Sequence, residues 1–339
     1  MSFLDRREIR LEPITPVFVG NGETLQNGID FFVKNDKIVV IDQSHLMDRD
    51  VRDFNDLFKE KFARTILGVP VIVRSSLQSQ QIQSQQILML NHLIFPASSM
   101  KGLLRTCVLN TRTRKNPNVI NDVYTDLFNI NTLLSRGKFR KARALLKNTA
   151  SPAEQLMKHR VFSSSIPYDE FKDLMISEPS GEKIGLDLNK IEIIETVGSF
   201  RRQVYAITFV RGVLKYDAKI MIRPNNGPYS RLSNITWNEI ISSMKDFSVR
   251  LIEDEKKKAN QGKKDKYKEF LEGLKATESC FPLKVGMFTG HIAKTVELDK
   301  NTSTFRDRVM TNIYRHLWDN RTLKLVNGVG VGWTKICIK

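Results

Sequence analysis

Glycine gathers in three loops that abut β-prone runs: Val19-Gly-Asn-Gly22, Val285-Gly-Met-Phe-Thr-Gly290 and Asn327-Gly-Val-Gly-Val-Gly-Trp333. Glycine allows a positive φ and lets a second backbone approach closely, so each loop is a place where the chain can turn sharply. Successive N–H groups in such a loop can also form a concave anion site, for which a phosphate chain is the natural guest. Any one loop taken alone reads as a tight turn between strands. Taken together, Gly20, Gly22, Gly328, Gly330 and Gly332 are candidates for close approach to a phosphate backbone. Trp333 and Tyr205 are candidates for stacking on bases, whereas Phe209 reads as core.

Two phosphate-binding motifs are excluded. A P-loop requires G-x-x-x-x-G-K-[ST], but Gly286 and Gly290 stand one residue too close and are followed by His291 and Ile292. The dinucleotide fingerprint opens the helix of a βαβ unit, and Gly328-Val-Gly-Val-Gly332 has the wrong spacing and no room for that unit. Neither an NTPase nor a dehydrogenase fits.

The runs between these loops mix strands and helices. Strands are expected at Glu8 to Glu12, Ile29 to Lys34, Lys37 to Ile41, Leu90 to Phe95, Ile191 to Val197, Val204 to Val210, Val213 to Ile222, Phe281 to Phe288, Leu323 to Val326 and Thr334 to Ile338. Asn35-Asp36 reads as a hairpin turn. Helical spacing appears from Ser44 to Phe62, from Ser98 onward, in part of 112–160, and over a long polar stretch from Trp237 to Leu274. The middle of that stretch, Glu253 to Lys268, is dense in charge of both signs and reads as a solvated helix or helical pair, not a binding site. Ser75 to Gln86 is Ser/Gln-biased and reads as an exposed loop. The pattern predicts an α+β chain of two domains, 1–160 with a basic helical insertion and 161–339 with the last glycine loop.

Charge narrows the partner. Lys and Arg total 54 against 37 Asp and Glu, a surplus of 17 that attracts polyanions. No apolar run is long enough to span a bilayer, and no lipidation signal or basic amphipathic anchor is visible, so nucleic acid is favoured over membrane. The first ten residues lack an apolar signal core. Cys107, Cys280 and Cys337 lie far apart, form no C-x-x-C pair and predict no disulfide framework, a pattern that fits a reducing cytoplasm.

The segment Pro96-Ala-Ser-Ser-Met-Lys-Gly-Leu-Leu-Arg105 is more specific. Ser98 or Ser99 can cap a helix whose free N–H groups favour an anion, and Lys101 and Arg105, four apart, share a face. That combination suits an RNA backbone; a capped helix with two solvated cations is the competing reading. Arg112 and Arg114 extend the positive region, and Arg140, Arg143 and Lys147 would line one face of a basic helix suited to tracking phosphates. The catalytic search is nearly empty. The five histidines show no metal-ligand spacing, no cofactor motif is present, and only His291, near Lys294, merits attention as a base. Asp30 and Asp36 read as ordinary turn or surface residues.

Pro13 to Glu23, the block Pro96-Ala-Ser-Ser-Met-Lys-Gly-Leu-Leu-Arg-Thr106 and Gly328 to Trp333 resemble, in order, the opening strand and loop, the internal motif and the C-terminal glycine loop of the RAMP superfamily of CRISPR proteins. Gly28 to Asp42 and Phe281 to Val296 are similar to segments of one RAMP family, the fifth subunit of type III-A Csm complexes. Ala97 stands where that superfamily usually has glycine, Met287 and Phe288 replace a more glycine-rich loop, and the Gln-rich stretch has no counterpart. The resemblance implies tandem ferredoxin-like (RRM-like) folds with helical insertions. It implies a non-catalytic, cytoplasmic crRNA-binding subunit that caps the 3′-proximal end of the complex backbone and supports 3′ trimming. Its partners would be crRNA, the backbone RAMP subunit and other type III subunits, with target RNA and host nucleases as further candidates. The enzyme alternative is a RAMP endoribonuclease with His291 as its base; a protein–protein adaptor is a third reading.

Overall fold

The computed structural model describes residues 3–47, 53–74, 82, 85–115, 117–148, 170–196, 199–222, 235–289, 309 and 322–339. Along the first half run β1 (Phe3–Pro13), β2 (Gly20–Leu25), β3 (Phe31–Lys34), β4 (Lys37–Val40), α1 (Gln43–Met47), β5 (Thr65–Ile66), β6 (Val69–Pro70), β7 (Ile72–Arg74), β8 (Ile87–Leu90), α2 (Ala97–Arg114), α3 (Pro117–Ser135) and α4 (Phe139–Asn148). The second half supplies β9 (Leu174–Ile176), β10 (Ser180–Glu195), β11 (Arg201–Ile222), α5 (Trp237–Gln261), α6 (Asp265–Gly273), β12 (Cys280–Lys284), β13 (Thr322–Val326), β14 (Val329–Gly330) and β15 (Trp333–Ile338).

Strand β1 alternates as a half-buried strand should, with Ile9 and Leu11 buried and Glu8, Arg10 and Glu12 partly exposed between them. It extends beyond the expected Glu8 to Glu12 because β11 pairs with it antiparallel from Phe3↔Ile222 to Leu11↔Leu214. Its other edge pairs with β15, where Ile9 and Leu11 face Ile338 and Ile336. The main sheet follows the order β12-β15-β1-β11-β10-β13-β14, with β2, β8 and β9 attached, and so takes strands from both sides of residue 160. The path β1–α2–β10–β11–α5–β15 places its four strands side by side as β15-β1-β11-β10, each antiparallel to its neighbour. Helices α2 and α5 pack on each other, and both contribute to the one large apolar core. A small sheet, β3-β4-β7, carries its own cluster around Val39, Ile41 and Phe62.

Several expectations are corrected. The segment from Ser44 to Phe62 forms the short α1 and two 3-10 turns, Phe54–Phe58 and Glu60–Phe62, and the Asp53 side chain caps the first by accepting from the Asn55 N–H. The long polar stretch takes the second of its two readings, a helical pair of α5 and α6, since Gly262 ends α5 and Lys263 takes a φ of 51°. Leu90 to Phe95 is the end of β8 followed by a turn in which Ile94 has a φ of 59°. The turn at Asn35 is as read, with φ 54°. Most of the Ser/Gln-biased stretch lies outside the described residues.

The cysteine reading is also overturned. Cys280 and Cys337 are partners across β12 and β15, with Cα atoms 4.0 Å apart, and form a disulfide. Their separation of 57 residues hides a pairing that only the sheet register creates. Cys107 is free and buried on α2, and burial pushes its thiol pKa far up. No helix among the described residues is long and apolar enough to cross a membrane.

The charged middle of the α5–α6 stretch is not wholly solvated. Glu255 and Lys258 are only 2% and 6% exposed. One Glu255 oxygen accepts from Lys284 Nζ at 2.8 Å and from the Tyr267 hydroxyl at 2.5 Å, while Lys258 Nζ lies 3.5 Å from the other. The Tyr267 hydroxyl accepts in turn from Trp333 Nε1 at 3.0 Å. Burial alone would raise the Glu255 pKa, but the charges of Lys284 and Lys258 and the bonds from Lys284 and Tyr267 outweigh it, and the carboxyl is held below its ordinary range. Trp333 is fully buried in this network, so it cannot offer a face to a base as the sequence reading supposed; Tyr205 and Phe209 are buried too.

Glu255→Gln leaves two buried ammonium groups without a counter-charge, and a loss of about 3–5 kcal/mol in urea denaturation is expected. Because the folded pKa of Glu255 is lowered, its contribution is full above the ordinary carboxylate range and is lost as pH falls through the folded value. That part of the acid-side loss should be missing from the Gln variant's stability–pH curve.

Candidate nucleic-acid interface

All three glycine loops meet. Gly332 N donates to the Pro16 carbonyl at 2.9 Å, Val285 N to Gly332 O at 2.8 Å, and Met287 N to Phe18 O at 2.7 Å. This convergence sets the need for glycine at two positions. Gly286 has a φ of +98°, and a Cβ there would stand 2.3 Å from the Phe18 carbonyl oxygen. Gly332 has a φ of +88°, and its Cβ would stand 2.6 Å from Val285 O. Gly330 lies against the Tyr267 ring, with 2.3 Å from a would-be Cβ to the hydroxyl. The amides of Val285, Met287 and Gly332 are spent on carbonyls, so these loops hold one another and do not form an open anion cradle there. Gly22 and Gly328 have open turn geometry, with φ of 93° and 81°.

Helix α2 also differs from expectation. Its N-cap is Pro96, so Ser98 and Ser99 lie within the first turn and do not cap it. The Ala97 N–H donates at 2.9 Å to the carboxylate of Glu178, which brings an internal negative charge to the end where a phosphate was expected. Lys101 and Arg105 do share a face, but it turns toward residues 171–174. Lys101 Nζ donates to the Leu174 carbonyl at 2.6 Å, and the Arg105 guanidinium lies 6.0 Å from the Phe171 ring centroid. Arg112 forks onto Glu239 at 2.6 and 2.8 Å, joining the last turn of α2 to the first turn of α5. These three cations therefore make internal contacts that fix α2.

The other side of α2 faces the glycine loops across a cleft of about 460 Å³. Ser99, Gly102, Leu103 and Thr106 form one wall, Val19 and Gly20 another, and Val285 to Met287 with Thr289 the third. Of the candidates read from the sequence, Gly20 and Ser99 line it. Gly102, Thr106 and Met287, which also line it, are not among those candidates. Gly102 did carry a signal, since glycine inside a helix costs about 1 kcal/mol relative to alanine. Among the described residues no atom outside the helix's own nearby backbone lies within 4 Å of where its Cβ would be.

A second concavity, of about 530 Å³, joins the end of α2 to the middle of α5. Arg114, Lys115, Lys245 and Arg250 line it with Asp246 and Glu253. Burial, with the neighbouring charge of Arg114, lowers the Arg250 pKa. Arg140 is exposed on α4, which also carries Arg143. His291 and Lys294 lie outside the described residues. Among the described residues no group of His, Cys, Asp or Glu is arranged to hold a metal ion.

The two glycine environments separate in stability. Gly286→Ala should lower stability by about 2 kcal/mol or more, because its backbone is left-handed and a carbonyl blocks the methyl group. Gly102→Ala should raise it by about 0.5–1 kcal/mol. Thermal denaturation of the two variants against the parent tests both.

The sequence matches the RAMP superfamily over residues 10–291. Among solved structures, a chain of a Csm–crRNA–target RNA ternary complex of a type III-A CRISPR–Cas system, determined by cryo-EM, is similar with a TM-score of 0.64 and 16% identity, covering 98% of this chain and 100% of that one. The crystal structure of T. onnurineus Csm5 is similar with a TM-score of 0.56 and 14% identity, covering 96% and 99% of the two chains. A search of curated proteins finds no match.

Proposed function

The chain belongs to the RAMP superfamily, and from that premise we propose that it is a non-catalytic crRNA-binding subunit of a type III-A Csm effector complex. The observation that carries the reading is the likeness over the full length of a chain from a Csm–crRNA–target RNA complex. In this role it caps the 3′-proximal end of the backbone, beside the backbone RAMP subunit, and supports crRNA 3′ maturation and RNA-guided defence in the cytoplasm. Target RNA and host nucleases are further partners of the same reading. The split β-α-β-β-α-β path, with strand order β15-β1-β11-β10, supports a ferredoxin-like unit. Because its strands come from both sides of residue 160, the second unit of a tandem pair would be built from strands outside that path. RNA would run over α2 and the basic concavity at Arg114, Lys115, Lys245 and Arg250, drawn by the surplus of 17 positive charges.

A tagged pull-down from the host, with sequencing of bound RNA and identification of bound proteins, tests this. Spacer-derived RNAs together with CRISPR backbone subunits are the expected recovery; the chain alone, free of RNA at low salt, would overturn the assignment. In vitro, the double change Arg114→Ala with Lys115→Ala should weaken single-stranded RNA binding. It should also flatten the plot of log affinity against log salt by about 0.7 for each phosphate contact removed.

A further inference from the structure

We propose that Cys280 and Cys337 are a reversible redox-modification site, closed by exchange with a low-molecular-weight disulfide, and that the bond clamps the edge strand β12 to the rest of the sheet. The inference takes its reducing compartment from the proposed function and does not depend on RNA binding.

Strand β12 is the outermost strand of the path β12-β15-β1-β11-β10-β13-β14. Cys280 opens it and stands opposite Cys337, with Cα atoms 4.0 Å apart. The backbone groups of Cys280 are used locally. Its carbonyl accepts from Thr277 N at 2.8 Å, and its N–H donates to Thr277 Oγ1 at 3.1 Å. The two cysteines thus form a pair without mutual backbone bonds, the kind in which facing side chains come closest. The ladder between the strands is carried by other residues. Ile338 N donates to Ser279 O at 2.9 Å, and at the far end Val285 N donates to Gly332 O at 2.8 Å. The Lys284–Glu255 and Trp333–Tyr267 bonds anchor that far end. Turn, ladder and buried network therefore set the two cysteines opposite each other, and none of them needs the sulfur–sulfur bond. Thiols held this way can close and reopen without unfolding.

The two sulfurs differ in access. Cys280 is half-buried beside exposed Ser279, whereas Cys337 is 5% exposed, so Cys280 is the entry sulfur. On closing, the Cys280 thiol loses its proton, and the thiolate attacks one sulfur of the small disulfide and expels a thiolate. The Cys337 thiol then loses its proton, and its thiolate attacks Cys280 Sγ in the mixed disulfide and expels the second. The cysteine pair gives up two electrons and two protons, and the small disulfide leaves as two thiols. Opening is the reverse. In a reducing cytoplasm such bonds are transient and redox-sensing. Closure also joins residues 57 apart, which restricts the unfolded chain. Cys107, free and buried on α2, takes no part.

The test equilibrates the full chain with glutathione at graded ratios of disulfide to thiol. Samples are quenched in acid, alkylated with N-ethylmaleimide in denaturant and read by intact mass and peptide mapping. The pair should pass from two free thiols to one bond as the ratio rises, and return when it is reversed. Far-UV circular dichroism should stay constant, and Cys107 should be unreactive in both native states. Cys337→Ser should accumulate a glutathione adduct at Cys280 about tenfold faster than Cys280→Ser does at Cys337. The oxidised parent should unfold in urea at a concentration about 0.5–1 M higher than the reduced parent, and the gap should vanish in either serine variant. Free thiols at every ratio, or a bond that excess thiol does not open in the native chain, would overturn the reversible pair. Reduction that exposes Cys107 or alters the dichroism would overturn the survival of the register. Equal adduct rates would overturn Cys280 as the entry sulfur, and equal urea midpoints in oxidised and reduced parent would overturn the clamp.

Discussion

A single buried carboxylate organises the part of the molecule that matters most. Glu255 reaches from α5 to Lys284 at the end of β12 and to Tyr267 on α6, and Tyr267 holds Trp333 at the start of β15. Three consecutive elements and the last strand are thus tied together around one ionised group. The second glycine loop follows Lys284 directly and the third runs up to Trp333, so the geometry of the cleft wall is inherited from this network. Desolvating these charges is costly, and the arrangement is sustained because Lys284 and Tyr267 both bond the same oxygen while Lys258 stands near the other. The register it fixes brings Gly332 against Val285 and Gly286 against Phe18, where any Cβ would collide.

The cations of α2 divide into two kinds. Lys101, Arg105 and Arg112 sit partly buried against Leu174, Phe171 and Glu239, and Glu178 meets the helix's positive end. Their effect is positional: they hold α2 so that its opposite side, with Ser99, Gly102 and Thr106, faces the loops at a fixed distance. Arg114 and Lys115, beyond the Glu239 contact, are exposed and contribute to the long-range field. Internal anchoring and exposed charge thus belong to different residues along α2 and its C-cap. A substitution at Arg112 would be felt through the α2–α5 packing, whereas one at Lys115 would be felt through charge.

Local signals in the sequence were legible where local physics decides. The hairpin at Asn35, the strands near Phe281, Leu323 and Thr334, and the order of the glycine loops follow from alternation and turn chemistry. RAMP membership followed from the motifs between Pro13 and Trp333. What failed required partners distant in the chain. Glu255 and Lys258 look solvated in a charged run until β12 delivers Lys284 beside them. Trp333 looks like a stacking platform until Tyr267 takes its N–H. Cys280 and Cys337 look unrelated until the register of β12 and β15 sets them opposite each other. The Lys101–Arg105 pairing on one helix face was correct, yet periodicity cannot tell which neighbour that face meets.

Glycine teaches the same lesson in sharper form. Gly286, Gly330 and Gly332 are small because protein atoms already occupy the space a side chain would need. Gly102 has no atom of the described residues within 4 Å of where its Cβ would be. In a helix such a residue forgoes stability that alanine would supply, with no contact among the described residues to account for the choice. The first kind of glycine explains how the three loops come together. The second marks where the assembled surface leaves room, and that room adjoins an exposed methionine and two hydroxyls whose protons are already donated.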